Sequence, residues 1–333
     1  MPAIEVHDLR KVFRIPRKDP GVAGAVKALF RPRFDEKVAV DGLSFTVQPG
    51  EMVGYIGVNG AGKSTTIKML TGVLVPSGGS VRVLGRDPHQ ERVANAREVG
   101  VVFGQRSQMW WDLALTESLS LIAKIYEIPP ARYRALLDQF AETLELNELL
   151  SVPIRNMSLG QKMRAELAAT LIHEPRVVYL DEPTIGLDLI VKERIRDFIK
   201  EQNRTKGTTV ILTTHDLGDI EELCQRVIII DAGRIIFDGP LSTIKARFGK
   251  YREITFEVAA GAARLDLPAG VDVVRAEPRQ LALRFDRTQA TASQVAAAVM
   301  SQVEVRDFSL AEPDLSAIVK QIYNGALQEE AAA

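Results

Sequence analysis

Eight residues, Gly57-Val58-Asn59-Gly60-Ala61-Gly62-Lys63-Ser64, constrain this chain more than any other stretch. Residues 38–56 before them have strand character with a turn at Pro49-Gly50, and Ser64–Leu74 after them has helical spacing. A strand running through a glycine-rich loop into a helix is the local signature of an α/β fold that binds phosphate. The glycines let successive backbone N–H groups curl around an anion where side chains would obstruct it. The helix then aims its partly positive N-terminus at the same point. Lys63 carries full charge toward the β/γ oxygens of a nucleoside triphosphate, and the Ser64 hydroxyl is placed to ligate Mg²⁺. An ordinary glycine turn is the bland alternative, and the complete spacing with both flanks correct argues against it. By itself the loop, with Thr65 completing it, implies only a nucleoside triphosphatase.

A second cluster sharpens the chemistry. Val177-Val178-Tyr179-Leu180 is an apolar strand that runs straight into Asp181-Glu182-Pro183. In open parallel sheets ligands gather at the carboxyl ends of strands. Asp181 is therefore placed to hold Mg²⁺ through water, and Glu182 to polarise the water that attacks a γ-phosphate. Acidic residues also end strands simply because strands end at the surface; the phosphate loop upstream tips the balance toward function.

The alternation continues along the chain. Short strands are expected at 80–84 and 99–103, helices from about 113 to 150 with a break at Pro129-Pro130, then a helix from 158, "VVYLD", a helix near 190–202 and "TTVILTT". Residues 227–238 read as a hairpin with Gly233 in its turn. Strands alternating with helices argue for a mainly parallel sheet. The expected fold class is α/β: a P-loop core with a mainly parallel sheet, an antiparallel β subdomain and a helical subdomain. After about residue 245 the character changes. Strand candidates "REITFEV", "QLALRF" and "VEVRDF" and one helix, Ala292–Ser301, suggest a small α+β domain over 245–333, leaving 1–244 as the nucleotide-binding domain.

Bulk properties exclude some classes. The 42 basic and 43 acidic residues nearly cancel, so no chain-wide positive field recruits nucleic acid, and none is expected as a partner. Cys224 is the only cysteine, which rules out an internal disulfide and suits a reducing compartment. It falls between a helical pattern and an apolar run, and is read as a small packing residue. No 18-residue apolar run and no leader pattern at Met1-Pro2-Ala3 are seen, so a membrane role would need another polypeptide.

The segment Met157-Ser158-Leu159-Gly160-Gln161 opens a helix upstream of Asp181, and Ser158 with Gln161 has capping-box spacing. With it, the chain resembles the ATP-binding cassette (ABC) ATPases over about residues 3–240. The resemblance identifies Gly57–Ser64 as Walker A, Val177–Asp181 as Walker B with Glu182 as catalytic glutamate, and Met157–Gln161 as the signature loop. Gln105 matches the Q-loop glutamine, which the family brings to Mg²⁺ and the γ-phosphate. Asp188 falls in the D-loop, and His215, after "TTVILTT", matches the switch histidine. A satisfied strand-end histidine is the alternative for His215. Phe13 matches the aromatic that stacks on adenine, with a core phenylalanine as rival. Leu159 and Val58 stand where the family usually has glycine and proline.

The resemblance implies MgATP hydrolysis by a head-to-tail dimer in which Ser158, Gly160 and Gln161 of one copy complete the other's site. The form of "MSLGQKMRAELAATLIHEP" is similar to the bacterial branch serving separately encoded exporter permeases. It implies a peripheral protein at the cytoplasmic face of the membrane, partnered by integral membrane permeases and by a second cassette, either an identical copy or the product of a different gene. ABC ATPases of repair, chromosome organisation or translation are the rival class, but this chain has neither their long insertions nor a second cassette. A module that binds ATP without hydrolysing it is disfavoured, because Lys63, Asp181, Glu182 and His215 are all present.

Two regions lie outside these landmarks. Residues 14–37, with seven Lys/Arg and three Asp/Glu, read as an insertion in which Asp19-Pro20 starts a helix with Val22, Val26, Leu29 and Phe30 on one face. Contact with lipid headgroups or the permease, or a solvated excursion, would both suit it. Trp110-Trp111 follow Gln105, where the family receives its membrane subunit. They suit an interface anchor or packing beneath the helical subdomain (about 112–165).

Overall fold

The computed structural model describes residues 1–17, 34–104, 107–248, 251–259 and 265–311, with a few positions between 315 and 323. The chain divides into two compact units, Met1–Asp238 and Gly239–Ala333. The first unit therefore ends slightly before the expected boundary at 244.

The first unit is built on a six-stranded sheet of order β5-β6-β7-β3-β8-β9. Its strands are β3 (Met52–Gly57), β5 (Val99–Phe103), β6 (Val177–Asp181), β7 (Thr209–Thr213), β8 (Arg226–Asp231) and β9 (Arg234–Pro240). β5, β6, β7, β3 and β8 pair in parallel. β9 returns through the Ala232-Gly233 turn, where both residues take positive φ. Val227, Ile228, Ile229 and Ile230 on β8 are fully buried. Such an unbroken apolar strand is what a parallel sheet covered on both faces requires, and each side chain contributes roughly 1.5–3 kcal/mol on burial.

β1 (Ile4–Pro16), β2 (Phe34–Val47) and β4 (Gly78–Val83) form an antiparallel sheet of order β2-β1-β4. Both ends of the segment read as an insertion over 14–37 are strand. β1 runs on past Phe13, and Arg14, Ile15 and Pro16 pair with Glu36, Asp35 and Phe34 of β2. Pairing of the two backbones, rather than side-chain burial, extends this ribbon, because its outer residues are exposed. The expected helix with Val22, Val26, Leu29 and Phe30 lies outside the described residues, as does Gln105.

Helices complete the unit: α1 (Lys63–Leu70), α2 (Arg92–Glu98), α3 (Leu115–Ile125), α4 (Pro130–Thr143), α5 (Leu159–Leu171), α6 (Leu189–Lys206) and α7 (Leu217–Leu223). α2 was not anticipated from the sequence. α6 starts where the Asp188 carboxylate accepts from the Val191 N–H at 3.0 Å and stops at Gly207 with φ 64°. Such a side-chain cap contributes about 1 kcal/mol. In the second unit α8 (Leu241–Phe248) precedes an antiparallel sheet of order β11-β12-β10-β13. Its strands are β10 (Tyr251–Val258), β11 (Val271–Glu277), β12 (Gln280–Asp286) and β13 (Val305–Ala311), and α9 (Ala292–Met300) buries Val295 and Val299 with Ile254, Phe256, Leu283 and Phe285. This is the mixed α/β class anticipated; β11 is an addition to it.

Candidate functional site: a phosphate cradle beside two carboxylates

The strand order brings the carboxyl ends of β3, β6 and β7 together. β3 delivers the glycine loop, whose conformation only glycine meets at two points. Gly62 has φ 108°, and a Cβ there would fall 2.5 Å from the Ala39 carbonyl oxygen. Gly60 has φ 88° and open space around it. Gly62 offers no side chain to cap α1, so the first N–H groups of that helix, at Lys63, Ser64 and Thr65, are left for an anion. The loop thus forms the cradle that a triphosphate needs.

Lys63 is 8% exposed, and its Nζ donates to the Gly57 and Val58 carbonyls at 2.6 and 3.3 Å. Burial pushes its ammonium below the ordinary lysine value, opposed by the charges of Glu182 and then Asp181. Ser64 Oγ donates to Asp181 Oδ2 at 3.2 Å, and Thr213 Oγ1 donates to Asp181 Oδ1. Hydroxyl and carboxylate oxygens are the donors a hard cation such as Mg²⁺ takes, with phosphate and water supplying the rest. The present residues fit that ion.

Glu182 leaves the strand with φ 56°, and its N–H donates to the Thr213 carbonyl at 2.8 Å. His215 Nε2 lies 2.9 Å from Glu182 Oε1. A cleft of about 550 Å³ opens over this group, lined by Phe13, Asn59, Gly60, Gly62, Lys63, Ser64, Thr65 and Glu182, with Arg14, Pro16 and Lys37 on its ribbon side. Phe13 and the phosphate loop thus line the same cleft. Lys37, which sequence reasoning passed over, stands opposite Phe13 in the β1–β2 register. Thr213 was also missed; the only signal for it was its position closing a strand beside "VVYLD".

The remaining expected site residues lie elsewhere in the unit. Ser158 caps α5: its Oγ accepts from the Gln161 N–H at 3.3 Å, and Gln161 Oε1 accepts from the Ser158 N–H at 2.8 Å. Leu159 finds room because the neighbouring residue is Gly186; a Cβ there would meet Leu159 Cδ2 at 3.1 Å. Val58 in turn uses only its carbonyl, for Lys63 and for the Ala61 N–H. Trp110 and Trp111 are 41% and 56% exposed, and Lys162 Nζ stands 4.4 Å over the Trp111 ring. Cys224 is buried, and burial raises its thiol to about 12, as suits a packing residue.

Comparison with known proteins agrees with this geometry. Residues 40–185 match the family model described as ABC transporter. The Nod factor export ATP-binding protein I of Burkholderia pseudomallei is 40% identical over 223 residues, covering 65% of this chain and 71% of that protein. The daunorubicin resistance ATP-binding protein DrrA3 of Streptomyces coeruleorubidus is 33% identical over 290 residues, covering 86% of this chain and 91% of that protein. A solved ATP-binding subunit of an ABC transporter superposes with a TM-score of 0.62 at 28% identity, covering 74% of this chain and 93% of that one. With a family match over residues 40–185, a relative aligned over 86% of this chain and a triphosphate cradle beside Asp181 and Glu182, the chain belongs to the ATP-binding, ATP-hydrolysing subunits of the ABC transporter family.

Proposed function

We propose that this subunit powers export through separate membrane permeases, by binding MgATP between two copies of itself and hydrolysing it there. The observation that carries the reading is one cleft lined by Phe13, Ser64 and Glu182, with Asp181 bonded to Ser64 and His215 beside Glu182. Phe13 stacks on adenine. The N–H groups of Gly60 to Thr65 and the Lys63 ammonium hold the β- and γ-phosphates. Ser64 and Asp181 would hold Mg²⁺, which would supply neutralising charge for the phosphates. Glu182 orients the attacking water and takes its proton, while His215 fixes that carboxylate and reaches toward the γ-phosphate. Gln105 belongs to this set through the family resemblance.

The second copy enters through the signature segment. Among the described residues outside its own helix backbone, a Cβ on Gly160 would meet nothing nearer than Val191 at 3.6 Å. The fold therefore does not demand glycine there; close approach by the partner's nucleotide does. Asp188 caps α6 beside this surface. ATP then acts as the adhesive between copies and hydrolysis releases them.

Among the described residues no helix is long and apolar enough to cross a membrane. In this reading the permease is a separate chain and this one sits peripherally at the cytoplasmic face. Trp110 and Trp111 supply exposed aromatic anchors for it. The relatives named for Nod factor export and daunorubicin resistance support export as the direction. The test is isolation of the full chain from detergent-solubilised membranes. An integral membrane protein present in comparable amount, with ATP turnover in the complex, supports the reading; a chain recovered only free of membrane protein, or on nucleic acid, contradicts it.

A further inference from the structure

A buried carboxylate that takes no part in the chemistry above joins the two loops that do. Asp219, on α7, has 0% exposure. Its Oδ2 accepts from the hydroxyls of Thr184 and Thr214, the latter at 3.2 Å. Its Oδ1 accepts from Arg196 Nε at 2.7 Å, with Nη2 at 2.5 Å. Thr184 and Thr214 are themselves buried. Thr184 lies just beyond Glu182, and Thr214 immediately precedes His215. With His215 Nε2 at 2.9 Å from Glu182 Oε1, the linkage closes into a ring. Its members are Glu182, Thr184, Asp219, Thr214 and His215.

A buried carboxylate is tolerable only when donors surround it, and these geometries are then held tightly. Glu182 has the left-handed φ of 56°, which a residue with a Cβ adopts only when its neighbours enforce it. Two contacts enforce it here. On one side the Glu182 N–H is bonded to the Thr213 carbonyl at 2.8 Å, and on the other Thr184 is bonded to Asp219. Thr214 Oγ1 also accepts from the Asp216 N–H at 2.9 Å, which shapes the turn carrying His215. Arg196 extends the clamp to α6, the helix that Asp188 caps.

We infer that Asp219 and Thr184 are positioning residues that set the distance and angle between Glu182 and His215. The inference rests on the assignment of Glu182 and His215 to hydrolysis. Asp219 and Thr184 are buried and neither lines the cleft, so their loss should act on turnover rather than on binding. Misplacement of a reacting group by about 1 Å can cost on the order of a hundredfold in rate.

The test compares Thr184→Val, which keeps the shape and removes the hydroxyl, with Thr184→Ser, which restores it. Both are measured in the full chain by MgATP hydrolysis, with Glu182→Gln alongside and the melting temperature of each variant recorded. Thr184→Val should lower kcat at least tenfold while KM for ATP stays within twofold, and Thr184→Ser should recover at least half the wild-type kcat. Adding Asp219→Asn to Thr184→Val should slow the enzyme little further, because both break one linkage. Wild-type kcat in Thr184→Val, or a Thr184→Ser as slow as Thr184→Val at an undiminished melting temperature, overturns the inference. If Glu182→Gln is inactive in that same experiment, only the clamp fails. If Glu182→Gln turns over normally, the Glu182 assignment fails and the clamp falls with it.

Discussion

His215 Nε2 sits 2.9 Å from Glu182 Oε1, so the turns after β6 and β7 present an imidazole and a carboxylate to each other beside the phosphate cradle. Two adjacent strands of a parallel sheet make this meeting possible, because Asp181 and Thr213 are partners in the β6–β7 register. Glu182, directly after β6, and His215, two residues after β7, end up at the same edge of the sheet, where the β3 loop also arrives.

Lys63→Ala removes the one side-chain charge buried in the cradle. A charged hydrogen bond of this kind is worth about 1.5–3 kcal/mol, so MgATP affinity should fall on the order of tenfold to a hundredfold. Calorimetric titration of the full chain checks it. Unchanged affinity together with unchanged turnover would mean that the cradle does not hold the phosphates.

Phe13→Ala should weaken ATP binding by roughly 1 kcal/mol, the low end of base–aromatic stacking. Phe13 lines the cleft and has the Lys11 ammonium 5.3 Å from its ring centroid. The comparison is with inorganic triphosphate, which has no base to stack. Equal loss for both ligands would contradict stacking.

Much of this site was legible because its parts are local. Gly57–Ser64, Asp181-Glu182 and the Ser158–Gln161 cap each combine residue type and spacing within one short window, and each sits at a strand or helix end that periodicity locates. The long ribbon of β1 and β2 was not legible beyond Phe13, because its paired residues are exposed on both faces and show no apolar alternation. β11 was missed for the same reason: nearly all of Val271–Glu277 is exposed. The Thr213, Thr184 and Asp219 contacts are tertiary, joining polar residues whose burial no single window reveals.

Ser158→Arg should abolish hydrolysis and leave ATP binding to the single copy nearly intact, since the residue lies outside the cleft of its own chain. The lost cap costs about 1 kcal/mol of stability, a modest fall in melting temperature that separates from the loss of activity. A mutant whose ATP affinity drops as far as that of Lys63→Ala would refute the shared site.

Replacing Trp110 and Trp111 together with alanine should leave MgATP binding and melting temperature close to wild type, because both side chains are exposed rather than part of the buried core. The cation–π contact of Trp111 with Lys162 accounts for only about 0.5–1 kcal/mol at such a site. Capture of the membrane partner should fall by roughly 2 kcal/mol or more for each buried anchor. A large drop in melting temperature would show that the tryptophans serve the core instead.

The central claim is that two copies close around MgATP and that Glu182 then cleaves it. Glu182→Gln keeps the size of the side chain and removes its capacity to take a proton. The most direct measurement is the mass in solution of this variant, by light scattering with and without saturating MgATP, alongside its rate of phosphate release. The account predicts a monomer that becomes a stable ATP-loaded dimer while hydrolysis falls by about a hundredfold or more. A variant that stays monomeric in saturating MgATP, or that hydrolyses it at the wild-type rate, would contradict it.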